Sequence, residues 1–246
     1  TFDAVILGNL ECRSREWQPL DDMRLSARDL NCDKSMNTLL HLMEAYTNLM
    51  RVWDNAALRA KQKGLVQVFF RYIVDPRTWH LKLFFDEAWH SLSDEISYGH
   101  DIEASWLLVE AAEVLGEPEA LAQARATAVK IAQAVYDQGR EADGSVLYEL
   151  TPHGLQSDKH WWVQAEAVVG FYNAYQISGQ SQFAEAAERC WSYIEDKFVD
   201  HAHGDWFKVL NREGIPDANH VKVGPWECPY HHSRVCFEML TRLNGQ

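Results

Sequence analysis

The chain has 246 residues, 47% hydrophobic and 24% charged, enough for one sizeable core and ordinary for a globular protein. Its 23 basic and 36 acidic residues give a formal net charge of -13, which opposes nucleic acid and anionic membrane surfaces, since both demand a basic face. No apolar run approaches the ~20 residues of a membrane span, and no signal peptide is evident. The five cysteines, Cys12, Cys32, Cys190, Cys228 and Cys236, are odd in number and scattered, with no C-x-x-C pair, which fits a reducing, cytoplasmic setting. A start at Thr1 in place of methionine points to processing or to an incomplete N-terminus.

Residues 1–35 read as irregular, with turn-rich Asp21-Asp22 and Asn31-Cys32-Asp33. Met36 to Trp53 has Leu39, Leu42, Met43, Tyr46, Leu49 and Met50 at helical spacing. Asn55 to Val74 reads as its partner helix and stops at Asp75-Pro76. His80 to Phe85 alternates as a short strand would. Gly99 to Leu115 is a second helix ended by Gly116, with Pro118 to Gln138 as its partner. Gly139 to Leu155 reads as a loop with a hairpin turn at Asp143-Gly144. His160 to Ile177 is a third helix ended by Gly179, Ser181 to Phe198 its partner, Asp205 to Leu210 a short strand, and Cys228 to Leu243 a last helix.

Leading helices therefore start near 36, 99, 160 and 227, a spacing of roughly 60–65 residues per helix-loop-helix-loop unit. The leading helix of each pair is rich in small and aromatic residues, as in Glu110-Ala111-Ala112 and Ala165 to Tyr175. Its partner is more charged, as in Arg125 to Gln138 and Glu185 to Lys197. This predicts fully packed inner helices and half-exposed outer ones, an all-α, α/α toroid with the inner heads at one end, in one domain over 1–246.

Acid-base residues recur at those heads. His41 precedes Glu44, and His100 precedes Glu103, by one helical turn, so each pair shares a face. Gln164-Ala165-Glu166 repeats the second half after Trp161 and Trp162, and His231-His232-Ser233-Arg234 opens the last helix. His41, His100 and His231 are taken to hold equivalent places in three units. Imidazole is the side chain best matched to proton transfer near neutral pH. His232 should point elsewhere on its helix. Glu44, Glu103 and Glu166 either orient histidines or act on substrate; the competing role is to cap inner helices or pair with buried arginines, with Glu103 the strongest functional candidate. Trp161, Trp162 and Trp226 could stack on sugar C–H faces; adjacent Trp161 and Trp162 should diverge, one toward the site and one into the core. Neither the His-x-x-Glu pairs nor His201-Ala-His203 matches a common zinc pattern, so no metal site is expected. Phosphate-binding glycine loops and the G-x-S-x-G elbow are also missing from the sequence.

Four segments carry a resemblance: Lys34-Ser-Met-Asn37-Thr-Leu-Leu-His41-Leu-Met-Glu-Ala-Tyr-Thr, Ser97-Tyr-Gly-His100-Asp-Ile-Glu103-Ala-Ser-Trp, Lys159-His-Trp-Trp-Val-Gln-Ala-Glu166 and Gly224-Pro-Trp226-Glu-Cys-Pro-Tyr-His231. Together they resemble the cellobiose 2-epimerase branch of the acylglucosamine 2-epimerase family, over nearly the whole chain. The resemblance implies an (α/α)6 barrel, here its C-terminal part without the N-terminal hairpins. It implies a reaction without cofactor, in which the reducing-end sugar of a β-1,4-disaccharide (cellobiose, lactose or a related oligosaccharide) opens. C2 then loses its proton, and a cis-enediolate is reprotonated on the other face. It assigns His231 and His100 as the acid-base pair, His41 to the C1 and C2 oxygens, and Glu103 to tuning His100 and helping ring opening. Trp226 and one of Trp161 and Trp162 would stack on the sugars, with Asn37 and Glu166 as further substrate-binding residues.

The chemistry itself asks for such a set: the developing oxyanion needs preorganised donors, and inversion needs proton donors on two faces of one carbon. Two departures stand out. Many family members read Asn-Thr-His-Leu-His where this chain has Asn37-Thr38-Leu39-Leu40-His41. The upstream part implied by the family also includes an arginine supporting the enediolate, for which no substitute is evident. Other classes on such a fold are N-acylglucosamine 2-epimerases, aldose-ketose isomerases, a non-catalytic sugar-binding fragment, and glycoside hydrolases, which need two carboxylates flanking the bond.

Overall fold

A computed structural model describes residues 9–24, 26, 29–225 and 227–245. It divides into two compact units, Thr1–Ile96 with Leu107–Ala124, and Ser97–Trp106 with Arg125–Gln246. The boundary therefore falls within two helices, α3 (Tyr98–Leu115) and α4 (Pro118–Gln138).

In the first unit, β1 (Lys34–Ser35) leads straight into α1 (Met36–Val52), and Ser35 caps it by accepting a hydrogen bond from the Thr38 N–H. Its buried stripe is Met36, Leu39, Leu40, Met43 and Thr47. Asn55 Oδ1 caps α2 (Ala56–Val68) through the amides of Ala57 and Leu58. Buried Gln62 on α2 donates to the Met43 carbonyl at 3.1 Å and to Thr47 Oγ1 at 2.7 Å, tying the two helices. α2 ends in a π turn, Phe69–Ile73, closed by the Val74 N–H on the Phe69 carbonyl. The expected strand from His80 is shorter than its alternation implied. Only β2 (Phe84–Phe85) pairs in register, antiparallel to β1, while Leu81 makes a single bridge to Val74.

The second unit repeats this plan. After β3 (Ile96–Ser97), every residue of α3 from Tyr98 to Trp106 except His100 is buried. β6 (Lys159–His160) leads into α5 (Trp161–Ser178) and pairs antiparallel with β7 (Val209–Leu210). α5 is buried without a break from Trp161 to Phe171, and Gly179, at φ 71°, ends it in the left-handed conformation. α6 (Ser181–Tyr193) buries one face only, Phe183, Ala186, Ala187, Cys190 and Tyr193, and closes in a second π turn, Ile194–Phe198. The inner-and-outer distinction expected from composition is thus present in the burial of α5 against α6. The end of α4 closes likewise, with the Arg140 N–H on the Val135 carbonyl.

Two expectations change. Residues 139–155 are not all loop: β4 (Glu149–Thr151) and β5 (Gly154–Gln156) form an antiparallel hairpin turning at residues 152–153. Its strands are three residues long with Leu150 and Leu155 exposed, so no buried alternation marked it. The last helix, α7, spans His231–Leu243 and starts three residues later than expected. Pro229 disfavours helical backbone at Cys228, and a Tyr230 N–H to Cys228 carbonyl turn fills the gap. No helix among the described residues is long and apolar enough to cross a membrane.

Candidate active site

The repeat places the same helical position at three inner helices. The sixth residues of α1, α3 and α5 are His41, Glu103 and Glu166. The three histidines are therefore not equivalent, as the sequence had implied: His100 is the third residue of α3, and His231 the first of α7. The lead-ins to α1, α3 and α5 are alike, each a two-residue strand ending where the helix begins, so the offset lies in where the histidines stand along the helices.

Within the second unit, Glu103 and Glu166 are 0% and 1% exposed. Burying two carboxylates demands compensation, and Arg234, one turn into α7, supplies it. Its Nη2 donates to Glu103 Oε1 at 2.5 Å and to Glu166 Oε1 at 2.8 Å. The guanidinium lies 5.0 Å from the Trp106 ring centroid and 4.3 Å from that of Tyr230. Trp106 Nε1–H donates to the other oxygen of Glu166 at 3.0 Å. Burial is the largest influence on the Glu166 carboxyl and pushes it up. The Arg234 charge and the His231 hydrogen bond together outweigh burial and hold it below its ordinary value.

His231 Nδ1 is 2.7 Å from Glu166 Oε1, and its side chain is 15% exposed. Among the described residues the ring has three aromatic neighbours: Tyr230 at 4.7 Å, Trp162 at 5.5 Å and Trp161 edge-on at 6.3 Å between centroids. Trp162 also meets His100, at 4.7 Å, so one indole touches two imidazoles. His100 Nδ1 is 2.8 Å from Ser97 Oγ. Behind them Tyr148 stacks on His160 at 3.7 Å and meets Trp162 edge-on at 6.3 Å. Both indoles of the pair border His231, which corrects the expectation that one would turn into the core; the 100° step between consecutive helix positions presents one edge-on and the other tilted.

A metal reading of this cluster has some geometry behind it. Ligand atoms of Glu103, Glu166 and His231 lie within 4.8 Å of one another. The position a cation would take is served by the Arg234 guanidinium, already bound to both carboxylates. His201 and His203 do not form a pair: His201 Nε2 meets the Glu195 carbonyl at 2.9 Å and His203 Nδ1 is 3.4 Å from Asp200. His232 does point away from His231, lying against the Trp206 ring at 5.5 Å with Nε2 3.6 Å from Asp205. Burial pushes its imidazole below the ordinary value, against the pull of Asp205.

In the first unit, His41 Nδ1 pairs with Glu44 Oε2 at 3.2 Å, as the i,i+3 spacing predicted. Asn37 is half-buried on the first turn of the same helix. Leu39, where many family members carry a second histidine, is fully buried. Trp226 lies outside the described residues. Sequence reasoning missed Arg234, Trp106, Ser97 and Tyr230. The alternative that the glutamates pair with a buried arginine was the available signal, but nothing local says which arginine.

Inner helices carrying histidines and carboxylates at their heads, backed by one-face outer helices, define an α/α hairpin protein. A family model for N-acylglucosamine 2-epimerase (GlcNAc 2-epimerase) matches residues 9–234; the chain belongs to that family. A curated relative from Bacteroides fragilis, named cellobiose 2-epimerase, is 45% identical over 98% of this chain and 62% of its own length. Two solved structures share the fold over 98% of this chain and 62% of theirs. The cellobiose 2-epimerase of Bacillus thermoamylovorans has a TM-score of 0.91 at 37% identity, and a sugar epimerase from a ruminal bacterium 0.93 at 38%. The chain thus spans under two thirds of the length of these proteins.

Proposed function

We propose that this chain carries the acid-base core of a cofactor-free 2-epimerase acting on the reducing-end sugar of β-1,4-disaccharides, with cellobiose, lactose or a related oligosaccharide as substrate. The observation that carries this reading is the pair of imidazoles on one indole, His100 and His231 against Trp162. Inverting a carbon by proton transfer needs two groups on its two faces, since a single base tends to return its proton to the side it came from. In this reading the sugar opens to its aldehyde, and one imidazole removes the C2 proton. The electron pair is held as a cis-enediolate, and the other imidazole delivers a proton to the opposite face. Glucose becomes mannose with no net change in atoms. Glu166 supports His231: if Nδ1–H donates to the carboxylate, Nε2 is left with its lone pair toward substrate.

Hydrolysis is disfavoured by the same geometry. A glycosidase needs one carboxylic acid and one carboxylate on either side of a bond, whereas Glu103 and Glu166 share one nitrogen of Arg234. The relatives named cellobiose 2-epimerase support the substrate class. The odd, scattered cysteines support the cytoplasm as the compartment.

The test is to incubate the protein with cellobiose in D2O and follow C2 by NMR. Deuterium at C2 with a glucosyl-mannose product is expected, and His231→Ala or His100→Ala should abolish both. A ketose product would move the reading to an aldose-ketose isomerase. Absence of exchange at C2 with demonstrably folded protein would overturn the reading.

A further inference from the structure

Arg234 stands outside the acid-base pair, yet its bonds reach the atom on which the pair depends. Glu166 Oε1 meets both His231 Nδ1, at 2.7 Å, and Arg234 Nη2, at 2.8 Å. The same Nη2 holds Glu103 at 2.5 Å. Two carboxylates this close and this buried cannot both stay charged without a cation between them; one takes up a proton. Arginine is the side chain that cannot relieve the strain by losing its own. Arg234 is itself pinned, with Nη1 donating to Tyr230 Oη at 2.5 Å and its plane against Trp106 and Tyr230. The charged and titratable groups shown facing Glu166 are Glu103 from α3 and His231 and Arg234 from α7.

We propose that Arg234 is a positioning residue for proton transfer: by bridging Glu103 and Glu166 it keeps Glu166 ionised, and so holds His231 in the tautomer whose Nε2 accepts the substrate proton. A neutral Glu166 could present an O–H in place of an acceptor, and the imidazole would then turn its basic nitrogen toward the glutamate. The carboxylate pair is thereby a tautomer lock, and Arg234 is what keeps it set. This rests on the epimerase reading for its kinetic consequence, though not for its electrostatic one.

The experiment compares wild type, Arg234→Met, Arg234→Lys and the double variant Glu103→Gln/Arg234→Met, all with 13C-labelled glutamate carboxyls. In R234M one of the two buried carboxyls should be protonated at pH 7, and removing Glu103 as well should return Glu166 to the ionised form. Kinetically, R234M should lose about 10²-fold in kcat, part of the ~10²–10⁴ that general acid-base catalysis contributes. Its KM should stay within about twofold, and the low-pH limb of its kcat profile should move up. R234K, which keeps the charge without the fork, should recover much of the loss. Folded R234M with both carboxyls ionised at pH 7 would overturn the proposal. If R234M does not fold, R234K decides it, since a protonated buried carboxyl there contradicts the charge argument. Wild type that leaves C2 unexchanged while R234M still gains a protonated carboxyl would remove the epimerase reading and uphold the electrostatic role.

Discussion

Glu166→Gln is the substitution that exposes most of this architecture at once. The carboxylate is met by three groups, His231 at 2.7 Å, Arg234 at 2.8 Å and Trp106 at 3.0 Å, and its side chain is 2% exposed. Glutamine offers one acceptor oxygen and an NH2. If the oxygen faces Arg234, the amide N–H2 faces the Trp106 N–H; if it faces Trp106, the amide confronts Arg234. Either way a buried donor is left without an acceptor and Arg234 loses one of two counter-charges. Breaking a buried pair from one side costs about 3–5 kcal/mol. Glu103 and the amide oxygen retain part of this, so roughly 2–4 kcal/mol is expected at pH 7. Solvent screening takes little from it at this depth.

The pH dependence follows from the direction of the Glu166 shift. Its carboxyl is held below the ordinary value of 4.5 in the folded chain, so the unfolded state binds the proton first on acidification. The contribution is fully present above 4.5 and is lost as pH falls through the lower folded value. Urea unfolding followed by tryptophan fluorescence, from pH 8 down to the acid limit, should show wild type and E166Q converging only in acid. A variant within about 0.5 kcal/mol of wild type at pH 7, or a difference that does not shrink in acid, would refute the network as the source.

Gly170→Ala should be costly, because a Cβ there would lie 2.5 Å from Ile102 Cγ1 and 2.6 Å from the Ile102 carbonyl oxygen. Forcing α5 from α3 at this point should lower stability by about 1–3 kcal/mol and disturb Glu103, the neighbour of Ile102, read as a lower Tm together with slower C2 exchange in the proposed reaction. Gln164→Leu removes an amide that bonds both the N–H and the carbonyl of Val146 at 2.8 Å. Two buried backbone groups are then stranded, and urea unfolding should register a loss of roughly 2–4 kcal/mol. Thiol labelling of the native protein should modify exposed Cys228 first; Cys32, pushed up to about 11 by burial, should lag. Cys190, buried and pushed higher still, should react only on unfolding.

The helices were legible because their signals are local. Pro118 to Gln138 spans α4 residue for residue, and Gly116 and Gly179 end α3 and α5 with φ values of 73° and 71°. The short strands were less so, because two or three residues carry no period: Lys34 and Lys159 begin the equivalent lead-ins of α1 and α5, and both are buried at 1% and 0%. A buried lysine reads as surface in a sequence until its partner is known. Here those partners, the Glu87 carbonyl and the Glu141 carboxylate, lie in loops with no pattern of their own.

The site divides along the same line. The i,i+3 rule found the His41–Glu44 contact, since both ends lie on one helix turn. It also placed His100 and Glu103 on one helix face, but could not name Ser97, 2.8 Å from His100 Nδ1, or Arg234, which donates to Glu103 Oε1. Glu103 and Glu166 sit at the same depth of α3 and α5, and there the helix is buried all round, as α5 is from Trp161 to Phe171. A carboxylate at that depth must find its counter-charge on a different helix, and for Glu166 it comes from 68 residues away. Sequence periodicity can therefore locate the acid of such a site and leave its cation unnamed. An arginine placed one turn into a later helix whose head bears a histidine is the pattern that would have named it.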